Sequence, residues 1–482
     1  MIKQGAHDDT ENAAAATVSE LITRARVAQR EYERYTQAQV DEVTTAAGWA
    51  IMHPDHNRKL AEIAVRDTGL GVVEDKIVKN YRKTLGLLRD LKSVKTVGVI
   101  AEYPERGLVE IARPAGVVAA ITPSTNPAAT PANKIINALK TRNAIIVAPS
   151  PKGASTCEAL VAYIHTELAK VGAPRDLVQC LPGPITKQST LALMQQADLV
   201  VATGSQSNIR TAYTCGTPAF GVGAGNVASI IDATAELDPA AQKVAASKTF
   251  DNATSCSSEN SVIIDESIYL QAMGALEKAG GVLLDHAEKE RLQTTMWPDG
   301  KLSAAVTAQS AATIARLAGL AREGLAQAKF LMVEESGTGP DYPFSGEKLS
   351  PVLTVYRARN FDHACEIVRS IYAHQGAGHS IGIHTSDDAN VLRLGLELPV
   401  CRVIVNQAHC FATGGSFENG LPFSLSMGCG TWGGNNFSEN MNYRQYLNIT
   451  RIARKLPESI PREADIFGDY LRKYHQGPSA AS

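Results

Sequence analysis

Along residues 17–92 the apolar positions recur at helical spacing. Thr17-Val-Ser-Glu20 reads as a capping box, in which the Thr hydroxyl accepts the third helical N–H and the Glu reaches back. Leu21, Ala25 and Ala28 then share one helical face. A second helix is predicted from Thr36 through Val40, Val43, Ala46 and Ala47, with further helix to about Lys92. The texture changes over 94–114, which reads as two strands around the turn-prone Pro104-Glu105-Arg106-Gly107. Such a hairpin forms an arm suited to contact between subunits.

From 115 to 232 the runs GVVAAITP, NAIIVAPS, LVQCLPG, DLVVATG and ASIIDA lack polar alternation, the mark of strands buried on both faces. Helical stretches separate them: one able to begin at Pro127, one over Ala159–Lys170, one over LALMQQA. This order predicts a parallel, doubly wound α/β sheet. Such sheets bind ligands beyond their strands' carboxyl ends, here Thr122-Pro123, Pro149-Ser150, Pro182-Gly183 and Thr203-Gly204-Ser205. No G-x-G-x-x-G follows the first strand, and no helical pattern follows GVGAGN at 221–226. The helix opened by Gly204-Ser205 still offers free N–H groups to a phosphate.

A second alternating region begins near 250, with strands at SVIID, PVLTVYRA, HSIGIHT and CRVIVNQ and helices over 269–279 and 361–372. It predicts a second α/β domain. Residues 409–440 are rich in Gly and Asn, which is loop chemistry, and a loop of that length points to function. The terminal NMNYRQYLNITRIARKL is of mixed character.

Composition narrows the class. The 482 residues are 44 % hydrophobic and 20 % charged, an ordinary globular balance. A net charge of −2 without a basic stripe argues against a nucleic-acid protein. No secretory leader and no membrane-spanning apolar run is present, so a cytoplasmic protein is expected. Eight scattered cysteines form no Cys-x-x-Cys pair, which argues against zinc ribbons and disulfide scaffolds. His379 and His384 lack accompanying ligands, so no metal is expected. Cys256 differs from the rest. It sits in a polar, Ser-rich turn just before a strand, where backbone N–H groups can stabilise a thiolate or an oxyanion.

ITPSTNPAAT (121–130), NALKTRNAIIVAPSPKG (137–153), FDNATSCSSENSVI (250–263), EKLSPVL (347–353), GAGHSIGIHT (376–385) and GGSFENG…GCGTWGGNNFSEN (414–440) carry a resemblance. Over about 17–453 the chain resembles the aldehyde dehydrogenase superfamily, in its coenzyme A-acylating branch. The groups it resembles most act on sulfoacetaldehyde, succinate semialdehyde and acetaldehyde.

The resemblance implies a Rossmann-type nucleotide-binding domain, an α/β catalytic domain and an oligomerisation arm. On that pattern, 1–93 is the helical part of the nucleotide-binding domain, 94–114 the arm and 115–232 the dinucleotide-binding sheet. The catalytic domain then spans 233–430, and 431–482 is a C-terminal oligomerisation segment. The implied assembly is a homodimer or homotetramer.

The resemblance also assigns roles. Cys256 falls on the nucleophile that forms a thiohemiacetal and then a thioester. Asn126 is the side-chain oxyanion donor, one position after Thr125, where hydrolytic members carry their Asn. Gly221 stands where hydrolytic members place a Glu base, so coenzyme A rather than water takes the acyl group. His379 either deprotonates coenzyme A or bonds backbone. Glu347 holds the nicotinamide ribose, and Gly204 and Ser205 meet the pyrophosphate. Thr122, Pro123 and Gly183 join them at the strand ends, and Ser150 with Lys152 suits a 2′-phosphate, favouring NADP slightly over NAD. His409, Thr413 and Ser416, with Thr125, offer polar contacts for an anionic aldehyde tail, which places sulfoacetaldehyde first.

Overall fold

A computed structural model of the chain describes residues 2–475, with side chains from residue 14 onward. Helix α1 (Ile2–Tyr32) runs straight through Thr17, so the Thr17–Glu20 box lies inside a helix rather than at its start. The alanine run at 13–16 explains this, because good helix formers carry the helix past a cap sequence. Helix α2 (Gln37–Met52) does begin on its box. The Thr36 hydroxyl accepts the Gln39 N–H at 3.4 Å, and the Gln39 side chain accepts the Thr36 N–H at 2.9 Å. Helices α3 (Pro54–Thr68) and α4 (Val73–Leu91) complete the bundle predicted to Lys92.

Strands β1 (Gly98–Tyr103) and β2 (Leu108–Pro114) form the hairpin, turning through Gly107 at φ 59°. The dinucleotide-type sheet follows. It contains β3 (Val117–Thr122), β4 (Ala144–Pro149), β5 (Val178–Cys180), β6 (Leu199–Thr203) and β7 (Ala219–Val222), all parallel, in the order β5-β4-β3-β6-β7. Its helices are α5 (Ala129–Lys140), α6 (Ala154–Lys170), α7 (Lys187–Gln196) and α8 (Gln206–Thr214). Every residue of β3 and β4 is buried, as their unbroken apolar runs predict. Val18, Leu21 and Ala25 of α1 and Val40 and Val43 of α2 join this core.

The strand at 227–231 belongs elsewhere. It is β8 (Val227–Ile231), and it pairs with β9 (Glu259–Asp265) and β13 (Ile381–His384) in a second parallel sheet. The fifth strand of the first sheet is instead β7, from a short Gly-rich stretch without a strand signature. With β10 (Gly281–Leu283), β11 (Phe330–Glu334), β12 (Val352–Ala358) and β14 (Val403–Val405), the second sheet has seven strands. Alternate residues feed its two faces: Ile263 packs on one side, Val262 and Ile264 on the other. Helix α9 (Leu237–Thr249) covers the latter face.

The terminal segment supplies β15 (Leu447–Ala453), which pairs antiparallel with β2 and makes the arm a three-stranded sheet. A last helix, Glu463–Tyr474, has no buried residue. No helix among the described residues is long and apolar enough to cross a membrane. No group of His, Cys, Asp and Glu among them is arranged to hold a metal ion.

Candidate active site

The segment entering Cys256 is locally strained. Between α9 and β9 the non-glycine residues Asp251, Asn252 and Ala253 take φ of 52°, 50° and 59°. Left-handed backbone costs of order 1–3 kcal/mol per such residue. The surroundings of Asp251 hold the turn in place. Its fully buried carboxylate accepts the Val72 N–H at 2.8 Å, Lys76 at 3.0 Å, Lys79 at 2.6 Å and the Thr254 hydroxyl at 2.7 Å. Burial pushes its pKa up, but the two lysines outweigh burial and hold it below the usual carboxylate range.

Cys256 Sγ lies 3.5 Å from His379 Nε2. The other ring nitrogen, Nδ1, lies 2.7 Å from the Ser380 hydroxyl. Burial pushes the thiol up to about 12 and His379 down to about 3, so the resting pair is neutral. Arg402 fixes the histidine turn by donating to the His379 carbonyl at 3.0 Å and the Gly428 carbonyl at 2.9 Å. Gly378 in this turn has φ 83°, and a Cβ there would stand 1.8 Å from the Cys429 carbonyl. That contact explains the glycine before His379.

Gly225 is the residue of the 220–226 loop that packs against the nucleophile, since its Cβ would stand 2.3 Å from the Cys256 carbonyl. Gly221 packs on Ile209 and Tyr213 instead. The loop carries no carboxylate. Glu347, whose charge acts on Cys256, accepts the Gly225 N–H at 3.2 Å, and burial raises its pKa to about 8.

A narrow cavity of about 40 Å³ opens beside the Cys256 turn. Asn126 and Ser255 line one part of it, and Phe250 and Phe411, with ring centroids 4.6 Å apart, line another. Lys79, Arg82 and Lys83 of α4 line it as well. Lys83 donates to the Gly414 and Gly415 carbonyls at 2.9 and 3.0 Å, and burial lowers its pKa to about 8. Arg82 packs over the Phe417 ring at 5.2 Å and makes no ion pair among the described residues.

These α4 cations were not among the sequence-predicted site residues. Their signal was present as Lys76, Lys79 and Lys83, spaced to share one helical face. A charged face normally meets solvent, and only the packed helix shows that Lys76 and Lys79 are 3 % and 6 % exposed.

The residues predicted to meet the aldehyde tail stand differently. His409 Nδ1 lies 2.8 Å from both the Ser257 carbonyl and the Thr413 hydroxyl. Thr413 also donates to the His409 carbonyl, and Ser416 accepts the Glu418 N–H at 3.2 Å. All three are buried: Thr413 and Ser416 bond within their own loop and His409 ties it to the Cys256 turn through Ser257, while the loop gives the cavity Cys410, Phe411 and Gly415. Thr125 meets Lys76 through its carbonyl, at 3.0 Å.

On the first sheet, the strand order reverses between β3 and β6. Ligand crevices form at such a switch point. Thr122 and Pro123 end β3 there, with the buried Thr122 hydroxyl unpartnered, and the Ser150 N–H donates to the Thr122 carbonyl at 3.0 Å. Gly204 follows β6 at φ 158°, and Ser205 caps α8 through the Asn208 N–H at 3.4 Å. Lys152 and Gly183 are exposed on the same edge. An unpartnered hydroxyl and a helix start are groups that fit a dinucleotide. The Thr203 hydroxyl at the end of β6 lies 2.6 Å from that of Ser426 in the 409–440 loop.

Residues 3–330 match the model described as Aldehyde dehydrogenase family. The chain is 66 % identical over 461 residues to a sulfoacetaldehyde dehydrogenase (acylating) of Cupriavidus necator, covering 96 % of this chain and 94 % of that protein. It is 38 % identical to a succinate-semialdehyde dehydrogenase (acetylating) of Clostridium kluyveri, over 94 % of this chain and 99 % of the relative. Among solved structures, an acetylating aldehyde dehydrogenase from Geobacillus thermoglucosidasius superposes with a TM-score of 0.90 at 34 % identity, covering 94 % and 99 % of the two chains. With its cysteine, histidine and cavity arranged around one turn, the chain belongs to the aldehyde dehydrogenase family, among the acylating oxidoreductases.

Proposed function

We propose that the protein oxidises sulfoacetaldehyde to sulfoacetyl-coenzyme A, with NAD(P)⁺ as hydride acceptor. The observation that carries the substrate is the cavity wall formed by Arg82, which makes no ion pair among the described residues, and Lys83, because a sulfonate needs charge-assisted donors a few ångströms from the carbonyl. The acylating relative of Cupriavidus necator supports the same choice.

In this reading the Cys256 proton passes to His379 Nε2 as Sγ attacks the aldehyde carbon. The Asn126 amide and the Cys256 backbone N–H receive the resulting oxyanion. Bound NAD(P)⁺ supplies the hydride sink, with Glu347 at its ribose and Thr122, Pro123, Gly183, Gly204 and Ser205 along its phosphates. The acyl group remains on Cys256 as a thioester. No carboxylate of the 220–226 loop activates water; once His379 has passed the first proton to solvent, the coenzyme A thiol attacks the thioester carbonyl and gives its proton to His379, and the Cys256 sulfur leaves and takes that proton back. Ser150 and Lys152 suit a 2′-phosphate and favour NADP. The enzyme works in the cytoplasm as a homodimer or homotetramer joined through its arm.

The test is one assay matrix: sulfoacetaldehyde, succinate semialdehyde and acetaldehyde, each with and without coenzyme A, and with NAD⁺ or NADP⁺. The expected result is coenzyme A-dependent NAD(P)H formation fastest with sulfoacetaldehyde. Full-rate turnover without coenzyme A overturns the acylating reading. A Cys256→Ser variant of normal rate overturns the nucleophile.

A further inference from the structure

Lys79 joins two parts of the site that lie far apart in sequence. Its buried ammonium donates to Asn126 Oδ1 at 2.8 Å, to Asp251 Oδ2 at 2.6 Å and to Thr254 Oγ1 at 3.0 Å. Asp251 and Thr254 belong to the strained turn that presents Cys256, whereas Asn126 follows β3. An ammonium has donors only, so it selects the amide oxygen of Asn126 and turns the NH₂ group away from itself. A cation on the oxygen also withdraws electron density from the amide, which strengthens its N–H as a donor.

We propose that Lys79 is a positioning residue for the oxyanion site: it sets the orientation of the Asn126 amide and its distance from the Cys256 turn. The inference rests on the reading of Asn126 as the oxyanion donor. Lys76, one turn earlier on α4, provides the comparison. It meets the same Asp251 oxygen at 3.0 Å, but its second bond goes to the Thr125 backbone carbonyl and not to the Asn126 amide.

The test is a double-mutant cycle on the full-length enzyme, with kcat and KM measured separately. Lys79→Met and Asn126→Ala should each lower kcat by about 10²–10³-fold, the loss typical of one oxyanion donor. KM for coenzyme A and for NADP⁺ should stay unchanged. The double variant should be no slower than the slower single one, because Lys79 acts through Asn126. Lys76→Met, which loosens the same turn but spares the Asn126 amide, should lower kcat by less than Lys79→Met, and its loss should multiply with that of Asn126→Ala. Lys79→Arg, which retains the charge, should recover part of kcat, and it replaces Lys79→Met in the cycle if that variant does not fold.

Multiplicative losses in the double variant of Lys79 and Asn126, or an equal kcat loss in Lys76→Met, overturn the inference. Unchanged kcat in Asn126→Ala overturns the oxyanion reading itself, which separates the two failures.

Discussion

At the residue scale, Cys256 and His379 form a neutral pair. Burial lifts the Cys256 thiol to about 12 and lowers His379 to about 3, so neither group carries charge near pH 7. A raised thiol pKa means that the thiolate is scarce until high pH, and its fraction rises with each pH unit below 12. The resting enzyme should therefore be alkylated slowly at pH 7, with iodoacetamide inactivation accelerating about tenfold per pH unit toward pH 10. A rate that is fast and flat from pH 7 upward would show a preformed thiolate instead. In the proposed reaction a neutral thiol has to lose its proton during attack, and His379 Nε2, 3.5 Å from the sulfur, stands within reach of it.

At the element scale, helix α4 performs two tasks with one face. Lys76 and Lys79 hold the strained turn through Asp251, while Arg82 and Lys83 reach the outer cavity wall. The tasks separate by experiment. Arg82→Met should raise KM for sulfoacetaldehyde by about 10–100-fold, the equivalent of losing one charge-assisted bond of about 1.5–3 kcal/mol. Turnover of acetaldehyde, which has no charged tail, should not change. Equal effects on both aldehydes would remove Arg82 from tail recognition.

The capping box of α2 is a second use of local sequence, and it was legible beforehand, since Thr36 and Gln39 need only each other. The Thr17–Glu20 box was equally plain in the sequence, yet α1 overrides it, because capping is worth about 1 kcal/mol and the helix continues upstream.

At the scale of the whole molecule, the arm is built from two distant pieces of chain. β2 is the centre of its sheet, with β1 beside it in sequence and β15 arriving from the far end of the chain. β15 is largely exposed, and none of the last helix is buried, so both can be removed without opening the core. A chain ending at the fully buried Tyr446 should keep its thermal midpoint and its cavity. If the arm joins subunits, its mass by light scattering should fall to a smaller assembly. An unchanged mass would place the subunit contact elsewhere.

By itself the sequence determined what depends on neighbours along the chain. Unbroken apolar runs specified strands buried on both faces, Thr36 specified a helix start, and a polar turn singled out Cys256 among eight cysteines. The resemblance of several ordered motifs added the family and the roles proposed for Asn126, His379 and Glu347. Tertiary structure decided what depends on partners across space. It assigned residues 227–231 to the second sheet and β15 to the arm, because strand pairing is a long-range choice that a short apolar run does not encode. It turned Thr413 and Ser416 into their own loop and His409 toward Ser257, where buried polar groups must find bonds, and buried the lysines of α4 beside Asp251. The direction in which a side chain points, and the charge it meets there, follow from packing and not from its place in the chain.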